Sequence, residues 1–357
     1  MFGVGVAPYI DAMLPDSKNR PVALWLFVVA GMILVMIVLG GVTRLTGSGL
    51  SIMEWAPLMG TLPPMSDAEW QRLFALYQKI PQYDLVNQGF GLAGFKRIFW
   101  LEWAHRLWGR SIGLVFLLPL IRFWWTGRVS HWLRWRLALL FLLGGLQGAI
   151  GWFMVASGFA PDSTRVSAYR LVVHLGLALI LYGAIVWTGL SLWSAHAVPK
   201  QRLPVLAALV WTGATLVCLT ILAGGFVAGL HAGLTYNTFP LMDGRLVPPG
   251  YADLHPFVSN FTENIGSVQF HHRLLATLTL IVALGTAAMG WRTPGCRIGA
   301  VAVAAVALAQ YSLGVATLLW AVPVDLAATH QTGAVLLLTA SLVLLHQLTK
   351  GRPNFTR

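Results

Sequence analysis

Eight stretches of about twenty apolar residues leave this chain few ways to fold. They run near 22–42, 103–121, 137–156, 171–193, 205–227, 273–291, 298–320 and 327–348. Inside lipid the backbone has no water to bond, so an unbroken apolar run of this length must be a helix. The chain is 57% hydrophobic and only 10% charged, against about 25% charged in soluble domains. The sequence therefore predicts an all-α polytopic membrane protein with eight transmembrane helices.

The cations set the orientation. Lys18, Arg20, Arg122, Arg128, Arg134, Arg136, Lys200, Arg202, Arg292, Arg297, Lys350, Arg352 and Arg357 all fall on one side, against only Asp11 and Asp16. The net charge of +12 thus lies almost wholly on one face. By the positive-inside rule both termini are expected in the cytoplasm, and the basic balance is a topology signal that asks for no nucleic acid. The first 20 residues hold two Asp and no long apolar core, so neither a signal peptide nor an Arg-rich transit peptide is visible. A multi-pass protein of a bacterial inner (plasma) membrane is the expectation. Cys218 and Cys296 fall at different membrane levels, so no disulfide is expected.

The chain also repeats itself. Glu102-Trp103-Ala104-His105-Arg106 returns as Gln269-Phe270-His271-His272-Arg273, each where a polar loop enters an apolar run. Gly40-Gly41 returns as Gly224-Gly225, where the first and fifth runs are expected to leave the membrane. Pro57-Leu58-Met59 returns as Pro240-Leu241-Met242, and Gln147 with Gly151 as Gln310 with Gly314. Two sets of four helices in parallel repeat follow, as two pseudo-symmetric four-helix bundles. The expected division is an N-terminal bundle over 1–193, a cytoplasmic linker over 194–204 with Pro199 and Pro204, and a C-terminal bundle over 205–357. Two long outer loops, 43–101 and 228–270, would cover the outer ends; Ser66-Asp67-Ala68-Glu69 opens a short helix with a capping box. The chemistry is expected on this outer side.

Four histidines, His105, His174, His272 and His330, are expected in the first two turns of the even-numbered helices, all at one depth. Each half supplies a pair, His105 with His174 and His272 with His330. Ionisable groups at membrane depth are costly and mark function, and two facing imidazoles in a four-helix bundle suit axial ligation of a b-type haem. Zinc or copper would use the same side chains with less support. Arg44, Arg106 and Arg273 stand at the same interface, where guanidinium groups would meet haem propionates or lipid phosphates. An i, i+3 spacing puts Glu102 on the face of His105, whereas the repeat carries the amide Gln269. A carboxylate in the first helical turn also suits the helix dipole, but that does not account for its replacement. His131, His196, His255 and His346 read as incidental, and His231 and His271 as structural.

These residues resemble the haem A synthase family. The resemblance runs from Gly40-Gly41-Val42-Thr43-Arg44-Leu45-Thr46-Gly47-Ser48-Gly49 to Thr329-His330-Gln331. Between them lie the Glu102-to-Arg106 motif, Gly144-Gly145-Leu146-Gln147-Gly148, His174-Leu175-Gly176, Tyr236-Asn237-Thr238-Phe239-Pro240-Leu241-Met242 and His271-His272-Arg273. It implies oxidation of the C8 methyl of haem O to the formyl group of haem A for terminal oxidases. His105 and His174, with Arg106 and Arg44, would bind substrate haem, and Glu102 would be catalytic. His272 and His330 would hold the iron of a haem b cofactor, with Arg273 on a propionate. The implied partners are haem O, a haem O synthase, terminal-oxidase assembly factors, an electron donor or acceptor, and membrane lipid; a homo-oligomer is compatible with the sequence. The Cys pair that many members carry in the first outer loop is missing from 43–101.

The rival reading is a bis-haem b electron-transfer subunit of a quinone-linked system, which needs the same histidines but no Glu102 in one half alone. A transporter with parallel repeats fits less well, because the polar residues cluster at one leaflet. The topology has a direct test. A cytoplasmic reporter fused after Arg357 is expected to be active, and activity there of a periplasm-only reporter would overturn the assignment.

Overall fold

The computed structural model describes residues 19–57, 59–193, 203–293 and 295–349. Both termini, Leu58 and all of the expected linker except Leu203 and Pro204 lie outside the described residues. Eight helices are long and apolar enough to cross a membrane. Numbered in chain order, the first four are α1 Arg20–Leu45, α2 Leu92–Trp125, α3 His131–Ala156 and α4 Ala168–Trp193. The second four are α5 Pro204–Gly229, α6 Ile265–Trp291, α7 Arg297–Leu319 and α8 Val324–Thr349. Among the described residues no strand forms, only an isolated bridge between Met242 and Arg245.

Neighbour relations follow the order of the chain. Helix α1 packs on α2, α2 on α3, α3 on α4 and α4 back on α1; α5 to α8 close a ring in the same way. The halves meet where α4 touches α5, α8 touches α1, and α4 touches α8. Contact between α2 and α3 is sparse beside that between α6 and α7. The apolar core includes Val22, Leu26, Leu137, Leu206, Leu344 and Leu345, which are fully buried near the helix ends away from the long loops.

Several helices extend past the apolar runs, and α2 differs most. It begins eleven residues before the run at 103, because its first turns are built to pack on protein rather than lipid. Phe95, Ile98, Phe99 and Glu102 are buried along one helical stripe. They meet a short helix, Asp67–Tyr77, whose Ser66 side chain accepts the Glu69 N–H at 3.2 Å as the capping motif predicts. Rings interlock there: Trp70 on Phe99 at 4.8 Å, and Phe74 and Tyr77 on Phe95 at 5.4 Å. The first outer loop thus has a core of its own. Arg72 ties it to Glu54 and Glu69, and those hydrogen bonds hold both carboxyls below their ordinary range.

Two expectations change with these helix ends. Glu102 and His105 lie about three turns into α2, so the helix dipole does not account for Glu102, and His105 is not in the first two turns. The helices themselves continue past Gly40-Gly41 and Gly224-Gly225: α1 runs to Leu45 and α5 to Gly229. These glycines are interior contact points. Phe95→Ala should cost about 3–5 kcal/mol of the outer-loop packing. Limited proteolysis is expected to cut within 46–91 first, with the spanning helices intact.

Candidate functional site

Each of the four predicted histidines rests against a glycine of the preceding helix. A Cβ built on Gly40 of α1 would lie 3.1 Å from His105 Nε2, and one on Gly224 of α5 would lie 3.0 Å from His272 Cε1. On Gly151 of α3 it would lie 2.8 Å from His174 Cε1, and on Gly314 of α7 2.7 Å from His330 Cε1. Real β-carbons essentially never come as close as at Gly151 and Gly314, and the contacts at Gly40 and Gly224 are tighter than most, so a side chain there would press on the ring. The repeated glycines were visible in the sequence, but their partners were not, because seat and ring sit on different helices.

In the second half the rings form a pair. The centroids of His272 and His330 are 6.5 Å apart and their planes cross at 88°. The Nδ1 of His272 lies 3.1 Å from the Thr220 carbonyl, and the Nδ1 of His330 lies 3.0 Å from the Gln310 amide nitrogen. On His272 the Nδ1–H donates to the carbonyl and Nε2 keeps the free lone pair; on His330 Nδ1 accepts from the amide, so ligation through Nε2 requires its proton to move to Nδ1 and that contact to be released. A metal bonded at about 2 Å to a nitrogen of each imidazole puts ring centres roughly 6 Å apart, so this pair fits a bis-imidazole iron. Gln310 also donates to the His330 carbonyl at 2.8 Å, and Gln147 does the same to His174 at 2.9 Å. This explains the repeated glutamine. No ring contact joins His105 to His174 among the described residues, and the buried Nδ1 of His174 and Oε1 of Gln147 lack partners.

Glu102 is buried at 2% exposure, the only acid so enclosed among the described residues. Its Oε2 accepts from the Ser51 hydroxyl at 2.7 Å and from the Ile52 N–H at 2.8 Å. Its Oε1 accepts from Arg106 Nε at 3.1 Å and Nη2 at 2.6 Å. Arg106 donates onward to the carbonyls of Ile52 and Glu54, and Arg110, one turn further, to those of Ala56 and Pro57. One face of α2 thereby pins residues 51–57 beside the His105 helix. Trp55 of that segment stacks on Trp152 of α3 at 6.0 Å, and Arg106 lies over the same Trp152 ring. Arg110 and Ser51 were not singled out from the sequence; the i, i+4, i+8 row of Glu102, Arg106 and Arg110 was the available signal.

The repeat reverses the polarity of the clamp. Gln269 Nε2 donates to the carbonyls of Ala232 and Thr235, while its Oε1 accepts from Arg273 Nη2 at 2.9 Å. Arg273 in turn donates to the carbonyls of Tyr236 and Thr238, which leaves its buried Nε without a partner. The first loop offers donors to a carboxylate, and the second offers acceptors to an amide. Asn237 anchors the second loop to the Leu318 carbonyl of α7 at 2.8 Å.

The guanidinium of Arg44, near the end of α1, makes no hydrogen bond or ion pair among the described residues, and Arg165 and His231 lie within its electrostatic reach. His271 turns to the loop instead, bonding Tyr251 at 3.0 Å and stacking on Phe261 at 4.7 Å. His346 is also buried, against Trp187.

The chain matches the COX15-CtaA family, described as cytochrome oxidase assembly protein, over residues 23–342. It belongs to that family. A protein of Granulibacter bethesdensis named "Heme A synthase" is 62% identical over 339 residues, covering 94% of this chain and 90% of that protein. Proteins of the same name from Rhodospirillum centenum and Parvibaculum lavamentivorans are 46% and 43% identical, covering 98% and 97% of this chain and 94% and 100% of theirs. The resemblance carried by the duplicated motifs therefore holds along almost the whole chain of this COX15-CtaA member.

The glycine seats can be tested directly. Gly→Ala inside a helix ordinarily stabilises by about 0.8–1 kcal/mol, so Gly314→Ala should be harmless unless the methyl strikes His330. Purified Gly314→Ala protein is expected to lose the low-spin absorbance of a bis-imidazole haem, whereas Gly285→Ala, at a glycine with open space around it, should keep it.

Proposed function

We propose that this chain oxidises the C8 methyl of haem O to a formyl group, yielding haem A for terminal oxidases. The observation that carries the reading is the asymmetry of the duplicated site. A closed imidazole pair stands in the half built from 205–357. In the half built from 1–193, the only fully buried acid among the described residues lies beside His105. The first half is then the substrate half, with His105 and His174 on the iron of haem O. Sparse contact between α2 and α3 and the missing ring contact suit a site that admits a large planar substrate. The second half is the cofactor half, with His272 and His330 as axial ligands of a haem b. When bound, that haem supplies a one-electron carrier near the substrate half. The protein would sit in a bacterial inner membrane, both termini cytoplasmic and the haem sites toward the periplasm.

The arginines divide by what they have left to give. Arg44, with Arg165 and His231 close by, offers uncompensated positive charge to the propionates of haem O. Arg273 keeps its Nε free for a propionate of haem b. Arg106 spends all three nitrogens on Glu102 and the loop, and serves substrate binding by holding the wall at 51–57.

Turning a methyl into a formyl group removes four electrons from the carbon and places one oxygen on it, so protons must leave as it proceeds. Glu102 is held as an acceptor by Ser51, Ile52 and Arg106, on the helix face that carries His105. A fixed negative charge there stabilises positive character developing at the substrate methyl. A proton taken up at Oε2 reverses the Ser51 contact, with the carboxyl donating to Ser51 Oγ and the serine hydroxyl turning to the Ile98 carbonyl at 3.4 Å. The electron-transfer reading has no use for this carboxylate.

The test is pigment extraction from cells that make haem O. Wild-type protein should yield haem A beside haem b. Glu102→Gln should lower haem A formation by about 10²- to 10⁴-fold, the usual scale of a general acid or base, and keep haem b. The amide also meets donors at Ser51 and Ile52, so a loop effect needs its own control. Ser51→Ala removes one of those donors, keeps the carboxylate, and should retain activity within about tenfold. Haem b alone at two per chain would return the chain to electron transfer, and wild-type haem A yield from Glu102→Gln would remove the catalytic role.

A further inference from the structure

Gln331 follows His330 in α8 and so points about 100° away from it around the helix. It faces α1 of the other half, where its Nε2 donates to the Ile37 carbonyl at 2.6 Å. Its amide covers Gly41 so closely that a Cβ there would collide with Oε1. The residue beside Gly41 is Gly40, the seat of His105. A ligand residue of one half is therefore joined to the ligand seat of the other through a single side chain.

The second crossing between the halves lacks this link. There Gly225 of α5 is covered by Val172 and by Leu175, which follows His174 in α4, with 3.0 Å from a built Cβ to Val172 Cγ2 and 3.3 Å to Leu175 Cδ2. Gly225 is the repeat of Gly41, so the repeat-equivalent of Gln331 is an aliphatic residue. Leucine fills the groove at one crossing, so filling it does not require an amide at the other. Placing an amide between apolar helices is costly unless it is bonded, and here the bond goes to the helix that carries the His105 seat.

We propose that Gln331 couples the two histidine pairs, so that a haem between His272 and His330 strengthens haem O binding at His105 and His174. The inference rests on the proposed assignment of a haem to each pair. Iron between His272 and His330 fixes the rotation of α8 about its axis. Gln331, one residue on, passes that setting to α1 at Ile37 and Gly41, and the position of Gly40 decides where His105 can stand. Gln331 is a positioning residue and touches neither iron.

The experiment is a titration of haem O into purified full-length protein, read as a dissociation constant for the first-half site. The proteins are wild type, His330→Ala, Gln331→Leu and the double variant. With Gln331 present, His330→Ala should weaken haem O binding about 5-fold or more, the lower end of ordinary coupling between sites. In the Gln331→Leu background, His330→Ala should change it no further, while Gln331→Leu alone keeps the low-spin haem b spectrum. Gln331→Met, of similar length but without a donor, should behave as Gln331→Leu does if the leucine variant fails to fold. Gly41→Ala, which displaces the amide from the α1 side, should also abolish the coupling and leave haem b in place. Independent effects of His330→Ala and Gln331→Leu, with haem at both pairs, would overturn the coupling and leave the proposed function standing. Absence of haem from both pairs of the wild type would overturn both.

Discussion

An imidazole between packed helices needs room that ordinary side chains deny it, and the rest of this structure depends on how that room is made. At four places a helix presents glycine where a β-carbon would come within about 3 Å of a ring atom. Close helix approach and a polar ring are thereby reconciled at the same level. The rings then need partners for their nitrogens and for the carbonyls near them, which the Thr220 carbonyl, Gln147 and Gln310 provide. Histidine, glycine and glutamine recur together because each is needed for the others to be tolerated.

The second requirement is that charge at membrane depth be paired. The Glu102–Arg106 pair meets it by folding the loop at 51–57 onto α2, so that every nitrogen of Arg106 and both oxygens of Glu102 take part in hydrogen bonds. Gln269 and Arg273 clamp the second loop with one fewer charge, and the buried Nε of Arg273 is left without a partner. The two loops offer opposite hydrogen-bonding character to match. The carboxylate-to-amide difference between the halves is thus written into the local fold as well as into the chemistry, and an exchange at either position disturbs both.

A duplicated scaffold gains function where the copies diverge. The divergences here are the Glu102 and Gln269 clamps, the Arg110 anchor absent from the second half, the closed ring pair absent from the first, and Gln331 opposite Leu175. All of them lie at the ends of the bundles that carry the long loops or at the contact between halves. The apolar core near the other helix ends is left to hold the helices together.

Periodicity and composition determined that the chain has eight spanning helices and that its parts are repeated, because apolar length and charge bias are local properties that lipid reads directly. They also marked the four histidines, Glu102 and the arginines, since polar groups in apolar runs stand out in one dimension. Where α2 begins was hidden, because its first turns are buried against another part of the chain and not against lipid. The partners were hidden too: which glycine seats which ring, that Arg106 holds residues 52 and 54 while the Arg44 side chain has no partner among the described residues, and that Gln331 reaches across to Ile37. Those are distances between residues up to 294 positions apart, and only the packing of helices on one another decides them.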